Sequence, residues 1–277
     1  MVWHDLRCTG GGGPRLSAVP IWHILLLFRG PRRPLKIHIL CLWGGETYGK
    51  FIAKSFLELI ERRIGKICIN LGYVNAGVDV FATDRQVARM ALGADVTVLQ
   101  LIGAYNVSNQ FYTVHPRRND RFLKPSTLLQ AIYRDVDFAE FNFNKHNLHR
   151  LFTLSLGRFD TVVSELQQAR LARMRLLLSK IDGKVVLLWF EDHTPDDVSP
   201  PEDGKDPWFV TRGMIQELRP IVTDLVEVTA SPSSCALGTA GMVFSPMDTP
   251  VAQQLLRPVA HQEVAVELLE SLKKLIK

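Results

Sequence analysis

Apolar runs of strand length alternate with segments of helical period along most of the chain. The runs at 37–43 (IHILCLW), 95–102 (DVTVLQLI) and 184–190 (KVVLLWF) are almost wholly apolar, and shorter ones stand at 66–71 and 224–229. Strands with no polar face are buried on both sides, as in a parallel sheet covered by helices. Between them, residues 50–65 put Phe51, Ile52, Phe56, Leu59, Ile60 and Ile64 on one helical face, and Gly65 stops the helix. Residues 84–93 read as a helix capped by Asp84, and 159–182, 211–218 and 259–276 carry further helical patterns. From 103 to 158 the pattern gives way to Asn, Arg, His and aromatic residues, with short helical pieces at 125–133 and 145–153.

This alternation predicts an α/β fold: a three-layer α/β/α sandwich on a five-stranded parallel sheet, in the flavodoxin-like order 2-1-3-4-5 that is common for five strands. In that order a crevice opens off the carboxyl ends of strands 1 and 3. The loops leaving those strands, GGETYGK at 44–50 and GAYNVSNQFYTVHPRRNDRF at 103–122, therefore converge there. Residues 1–28 show no period and are expected to form a poorly structured N-terminal segment. Residues 29–277 form a single domain with a long insertion at about 104–158.

Within 1–28, the run AVPIWHILLLF falls short of the ~20 residues that span a bilayer. Arg and Pro follow it in place of a small-residue cleavage site, so it reads as a buried segment. The 277 residues are 47% hydrophobic, enough for a substantial core. The formal charge of +5 is mild and clustered, which suits an anionic small molecule or glycan better than nucleic acid or a membrane. Cys8, Cys41, Cys68 and Cys235 are scattered. No ligand spacing or disulfide framework is implied, nor any metal or cofactor, and reduced thiols in a cytoplasmic protein are expected. His146 and His149 have no third ligand nearby and read as surface residues.

The loop at 44–50 invites two chemical readings. It fits GxxxxGK, the phosphate cradle of nucleotide-binding proteins, but Phe51 stands where a hydroxyl would hold magnesium. The Glu191-Asp192 pair is only a weak echo of the acidic residues that hold the metal water. A nucleotide-dependent transferase is thus the lesser alternative.

The same loop resembles the first motif of SGNH (GDSL) hydrolases, G-D-S-x-T-x-G, with Trp43-Gly44-Gly45 over G-D-S and Thr47 keeping its hydroxyl two residues on. CINLGYVNAG resembles the second motif, whose glycine gives an oxyanion N–H, here Gly72 or Gly77. LIGAYN resembles the third, with Asn106 as amide donor. AHQEVAVELLESL resembles the last, with His261 as the histidine. The segments FRGPRRPL, NLGYVNAGVDVF, VDFAEFNF and VVLLWFEDHTP further resemble an uncharacterised bacterial domain family of SGNH-like pattern, whose members commonly carry Ser or Thr where Gly45 stands.

The resemblance implies an ester hydrolase or acyltransferase lineage. Catalytic candidates are His261, Asn106, Gly72, Gly45 and Thr47. Two departures stand out: Gly45 has no side chain, and Pro258 replaces the Asp that would orient His261. Glu46 is an alternative base for water, and Asp192-His193 a further acid/base pair. His115, Arg117, Arg118 and Arg121, beside aromatic residues, read as an anion site. The sequence therefore suggests an SGNH-hydrolase-like protein acting on or binding an acylated or anionic carbohydrate; the alternative is a non-catalytic anion- or glycan-binding module.

Overall fold

A computed structural model of the chain describes residues 18–20, 27–29, 38–42, 44–197 and 204–276. The expected buried segment at 18–28 lies largely outside these residues. Ala18–Pro20 pairs antiparallel with Leu27–Arg29.

Five parallel strands form the central sheet: β1 (Ile39–Leu42), β2 (Cys68–Leu71), β3 (Val96–Gln100), β6 (Lys184–Glu191) and β7 (Asp224–Thr229). They lie in the order β2-β1-β3-β6-β7. Two strands the hydropathy pattern does not reveal, β4 (Tyr112–Val114) and β5 (Phe122–Pro125), form a separate antiparallel hairpin inside the insertion. They are short, and β5 alternates with exposed positions, so neither carries a long apolar run.

Alternate side chains of each sheet strand point to opposite faces. Leu40, Leu42, Leu99, Leu187 and Trp189 enter one apolar layer, while Ile39, Cys41, Val98, Leu188 and Phe190 enter the other. The second layer is closed by α2 (Phe56–Ile64) and α11 (Pro258–Leu275), the latter following the short helices α9 (Pro232–Ala236) and α10 (Thr249–Ala252). The first is closed by α3 (Val78–Ala82), α4 (Arg85–Leu92), α5 (Thr127–Ile132), α6 (Asn144–Leu154), α7 (Leu156–Leu178) and α8 (Arg212–Leu218). The insertion is thus not an appendage: Tyr112, Phe122, Tyr133 and Leu148 share the layer that covers the sheet. The Asp84 cap forms as expected, its Oδ1 accepting from the N–H groups of Gln86 and Val87. The helix expected from residue 50 starts only at Phe56, because α1 (Gly45–Tyr48) takes up the glycine-rich turn as one helical turn closed by Gly49.

One charged residue of α7 departs from the amphipathic expectation. Arg170 reads as part of the solvent face, yet it is 1% exposed. Its Nε donates to the carbonyl of Ile102 at 2.9 Å, and both terminal nitrogens lack a hydrogen-bond partner among the described residues. Burial lowers its pKa to about 10 from 12.5. Holding it charged at neutral pH therefore costs roughly 3 kcal/mol. Arg170→Met fills the same volume without the charge. Chemical denaturation should find it as stable as the parent or more so, while Arg170→Ala, which leaves a cavity, should be less stable. A loss of about 3 kcal/mol or more in Arg170→Met would mean that the guanidinium holds a buried partner.

Candidate functional site

Strand β1 ends in a turn that only glycine can make. Gly44 has φ +80°, and a Cβ there would overlap the side chain of Gln100. That side chain comes from β3, next to β1 in the sheet, and its Oε1 accepts from both the N–H (3.0 Å) and the hydroxyl (2.7 Å) of Thr47. Thr47 is fully buried; its carbonyl accepts from Asn70 Nδ2 at 2.7 Å. Its hydroxyl is a strut between β1 and β3, turned away from the crevice. Gly45 differs from its neighbours. A Cβ at this position would meet only Leu255 Cδ2, at 4.0 Å.

Glu46 carries the turn to the far end of the chain. Buried to 7% exposure, its Oε1 accepts from the Leu256 N–H at 3.1 Å. Its Oε2 lies 3.7 Å from Nε2 of His261, which α11 holds fully buried. Phe56 stacks on the imidazole and Phe190 meets it edge-on. The Phe56 N–H donates to His261 Nδ1 at 3.4 Å. Neutral imidazole has one donor and one acceptor nitrogen, so the proton sits on Nε2, which has no hydrogen-bond partner among the described residues. A serine-type general base needs the opposite tautomer, with Nδ1–H held by a carboxylate and Nε2 free to accept. Pro258 at the orienting position agrees with this reversal.

The expected oxyanion donors are engaged elsewhere. The Gly72 N–H donates to Asn70 Oδ1 at 2.8 Å. Gly72 is instead required sterically, since a Cβ there would overlap the backbone of Thr47 and Tyr48. The Gly77 N–H donates to Asn119 Oδ1 at 3.0 Å. Asn106 is buried; its Nδ2 donates to the Asn75 carbonyl at 3.3 Å and its Oδ1 accepts from Asn144 at 2.9 Å. Asn144 also donates to the Asn119 carbonyl. Asn106, Asn119 and Asn144 thus form a buried amide network that ties the insertion to the loop after β2. Asn144 was not singled out in the sequence; a fully buried amide inside a polar segment leaves no period to follow.

In the basic loop, His115 Nδ1 accepts the N–H groups of Arg117 and Arg118, each at 3.2 Å, and so caps the turn. The Arg121 guanidinium lies 4.0 Å over the Phe143 ring. Arg117 and Arg118 are exposed and have no ion pair among the described residues. Lys50 does not reach a phosphate cradle: its ammonium pairs with Asp248 at 3.0 Å, and Gly49, at φ +63°, ends α1 after one turn.

Strand β6 delivers a second group of ionisable residues to the same carboxyl edge. Burial pushes the Glu191 carboxyl well above the usual range; the charges of Glu46, Asp206 and Asp192 push the same way, and Lys145 opposes them. Asp192 goes the other way. It is held below its ordinary value chiefly by a hydrogen bond to His193, helped by Lys205 and Arg257. That bond joins Asp192 Oδ1 to His193 Nδ1 at 2.8 Å. The His193 carbonyl accepts from Trp189 Nε1 at 2.7 Å, which pins the backbone under the ring.

The residues thus define a parallel α/β domain with a group of ionisable side chains at the carboxyl edge of its sheet. The chain belongs to the family described as Domain of unknown function (DUF6473), whose sequence profile matches residues 23–276. Among curated proteins none matches. Two solved structures are similar in fold. One is the lipase Lip_vut3 from a goat rumen metagenome, 11% identical, TM-score 0.44, covering 85% of this chain and 97% of its own. The other is the salicylyl-acyltransferase SsfX3 from a tetracycline biosynthetic pathway, 12% identical, TM-score 0.35, covering 90% of this chain; this chain spans 58% of its length. No helix among the described residues is long and apolar enough to cross a membrane, and no group of three His, Cys, Asp or Glu side chains among them is placed to hold a metal.

Two stability outcomes follow from this geometry. Gly45→Ala should melt within a degree or two of the parent, because its Cβ has room, whereas Gly72→Ala must push backbone aside and should be strongly destabilised; equal melting temperatures would contradict the close approach at Gly72. Glu191 binds its proton more tightly folded than unfolded. The stability this contributes is present below the unfolded value near 4.5 and lost as pH rises through the folded value. Glu191→Gln should therefore stabilise the protein more at pH 8 than at pH 5 in parallel thermal melts; a gain independent of pH would contradict the raised carboxyl.

Proposed function

We propose that this chain is an SGNH-hydrolase-like protein whose crevice takes an acylated or anionic carbohydrate and acts on it as an ester hydrolase or acyltransferase without a serine nucleophile. The observation that carries this reading is the meeting of Glu46 with His261 and Leu256. It brings the turn after the first sheet strand to the start of the last helix, at the carboxyl edge where open α/β sheets bind ligands. Beside that meeting point Gly45 leaves room for a bound group and offers no nucleophile. Attack on an acyl carbon then falls to water, activated by a side chain.

A second reading, that the crevice binds an anionic sugar without cleaving it, is favoured by Arg117 and Arg118. Arg117 and Arg118, exposed and without ion pairs among the described residues, stand on a turn whose backbone His115 caps, and their guanidinium forks suit a carboxylate or sulfate. Both readings require the same class of ligand.

Thermal melts with acetylated glucose, glucuronate and glucose sulfate test that shared requirement. At about one hundred times its dissociation constant, a ligand should stabilise the parent by ~2.7 kcal/mol. The double substitution Arg117→Ala/Arg118→Ala should remove the response to glucuronate and sulfate and leave the ligand-free melting temperature in place. No response of the parent to any of these sugars would contradict the proposed ligand class. A large fall in the ligand-free melting temperature of the double variant would make the arginines structural.

A further inference from the structure

Two histidines stand at the carboxyl edge of the sheet, and their hydrogen bonds give them opposite tautomers. His261, which the sequence motif favours, accepts at Nδ1 and carries its proton on Nε2. His193 is the reverse. Asp192 is held ionised beside it, so the 2.8 Å contact places the proton on Nδ1. Nε2 of His193 is then the free acceptor, with no hydrogen-bond partner among the described residues. The ring is braced by Trp189 edge-on, at 5.5 Å between centroids. Its side chain keeps 14% exposure, so Nε2 can reach a water or substrate, whereas His261 is sealed.

His193 and Gly45 leave the same carboxyl edge of the sheet. Leu42 of β1, Leu99 of β3 and Leu187 of β6 are in register. Gly45 lies just past the end of β1, and His193 just past the end of β6, two strands away. Two strand spacings separate the strands laterally by about 10 Å, and His193, six residues past Leu187 where Gly45 is three past Leu42, stands farther out along the strand direction. Glu191 and Asp192, the residues before His193, sense the charge of Glu46 and of Arg257, which neighbour Gly45 and α11 respectively.

We infer that His193 is the general base of this crevice and Asp192 the residue that orients it. This rests on the ester-processing reading above. Nε2 of His193 takes a proton from water as the water oxygen bonds to the acyl carbon, and the carbonyl electron pair moves onto its oxygen. When that intermediate collapses, the bond from the acyl carbon to the sugar oxygen breaks. The sugar alkoxide takes the proton back from His193. Ester and water give carboxylic acid and alcohol, with the imidazole restored and no covalent enzyme intermediate. The dyad does for water what a triad does for serine.

Acetate release from glucose pentaacetate, measured on the full chain with melting temperatures in parallel, tests this. His193→Gln should lower kcat about 100-fold or more with KM little changed, the usual worth of a positioned base. Asp192→Asn, which keeps the size but offers Nδ1 a different partner, should lower kcat by a smaller factor, again without moving KM. His261→Gln should lose less than His193→Gln, once compared at temperatures where both are folded. Should His193→Gln fail to fold, Asp192→Asn carries the test alone. Parent-like rates in His193→Gln or Asp192→Asn would overturn the assignment, as would a loss confined to His261→Gln. If the parent binds the acetylated sugar in thermal melts but releases no acetate, His193 is not a base and the binding reading stands. If it neither binds nor releases, the ester-processing reading and this inference both fall.

Discussion

Everything at the carboxyl edge depends on one buried side chain, that of Gln100. Its amide oxygen accepts from the N–H and the hydroxyl of Thr47, and its side chain fills the volume that glycine leaves free at position 44. Central strand and first-strand turn are thereby locked together. A buried amide oxygen with two donors is well satisfied, and loss of both would leave it to bear a desolvation cost of about 1–3 kcal/mol. With α1 fixed in this way, the Glu46 carboxylate is aimed at Leu256 and His261. The same close packing requires glycine at 72, where the loop after β2 touches the backbone of Thr47 and Tyr48. The turn is thus a rigid junction of three strands and the last helix. Within it a Cβ has room at Gly45 but none at Gly44.

Hydrogen-bond partners, not residue identity, decide what the histidines of this junction can do. His261 occupies the place that the motif marks out, but the Phe56 N–H uses up its Nδ1 and the aromatic rings of Phe56 and Phe190 enclose it. It serves as a buried donor beside Glu46. His193 has no motif to recommend it, yet it has the ionised Asp192 on one nitrogen and no hydrogen-bond partner among the described residues on the other. Glu191 next to it holds its proton more firmly than an ordinary carboxyl. Neighbouring groups with opposite proton preferences are what acid–base chemistry at an enclosed site requires.

The sheet was readable because its strands are buried on both faces and so are almost wholly apolar, as IHILCLW and KVVLLWF are. Asp84 was readable as a cap because its role is local, set by residues two and three positions on. The hairpin β4–β5 escaped because three- and four-residue strands with exposed positions carry no period. Arg170 was misread for a related reason: α7 is long and packed on several sides, so its charged residues do not mark a single solvent face. At the site, the residues of the SGNH-like motifs were legible but not what their atoms do. Whether the Gly72 N–H is free depends on Asn70, whether Asn106 can donate depends on Asn75 and Asn144, and the fate of the Thr47 hydroxyl depends on Gln100. All but the first of these partners lie more than twenty residues away, and no spacing rule reaches them.

The central claim is that the two histidines carry their protons on opposite nitrogens, and heteronuclear NMR of the imidazole nitrogens reads this directly. In uniformly ¹⁵N-labelled protein at a pH where both rings are neutral, with assignments from His193→Gln and His261→Gln, His261 should show a protonated Nε2 and a bare Nδ1. His193 should show a protonated Nδ1 and a bare Nε2. The reverse pattern, with the free acceptor Nε2 on His261, would contradict the account and return the base to the position that the motif marks.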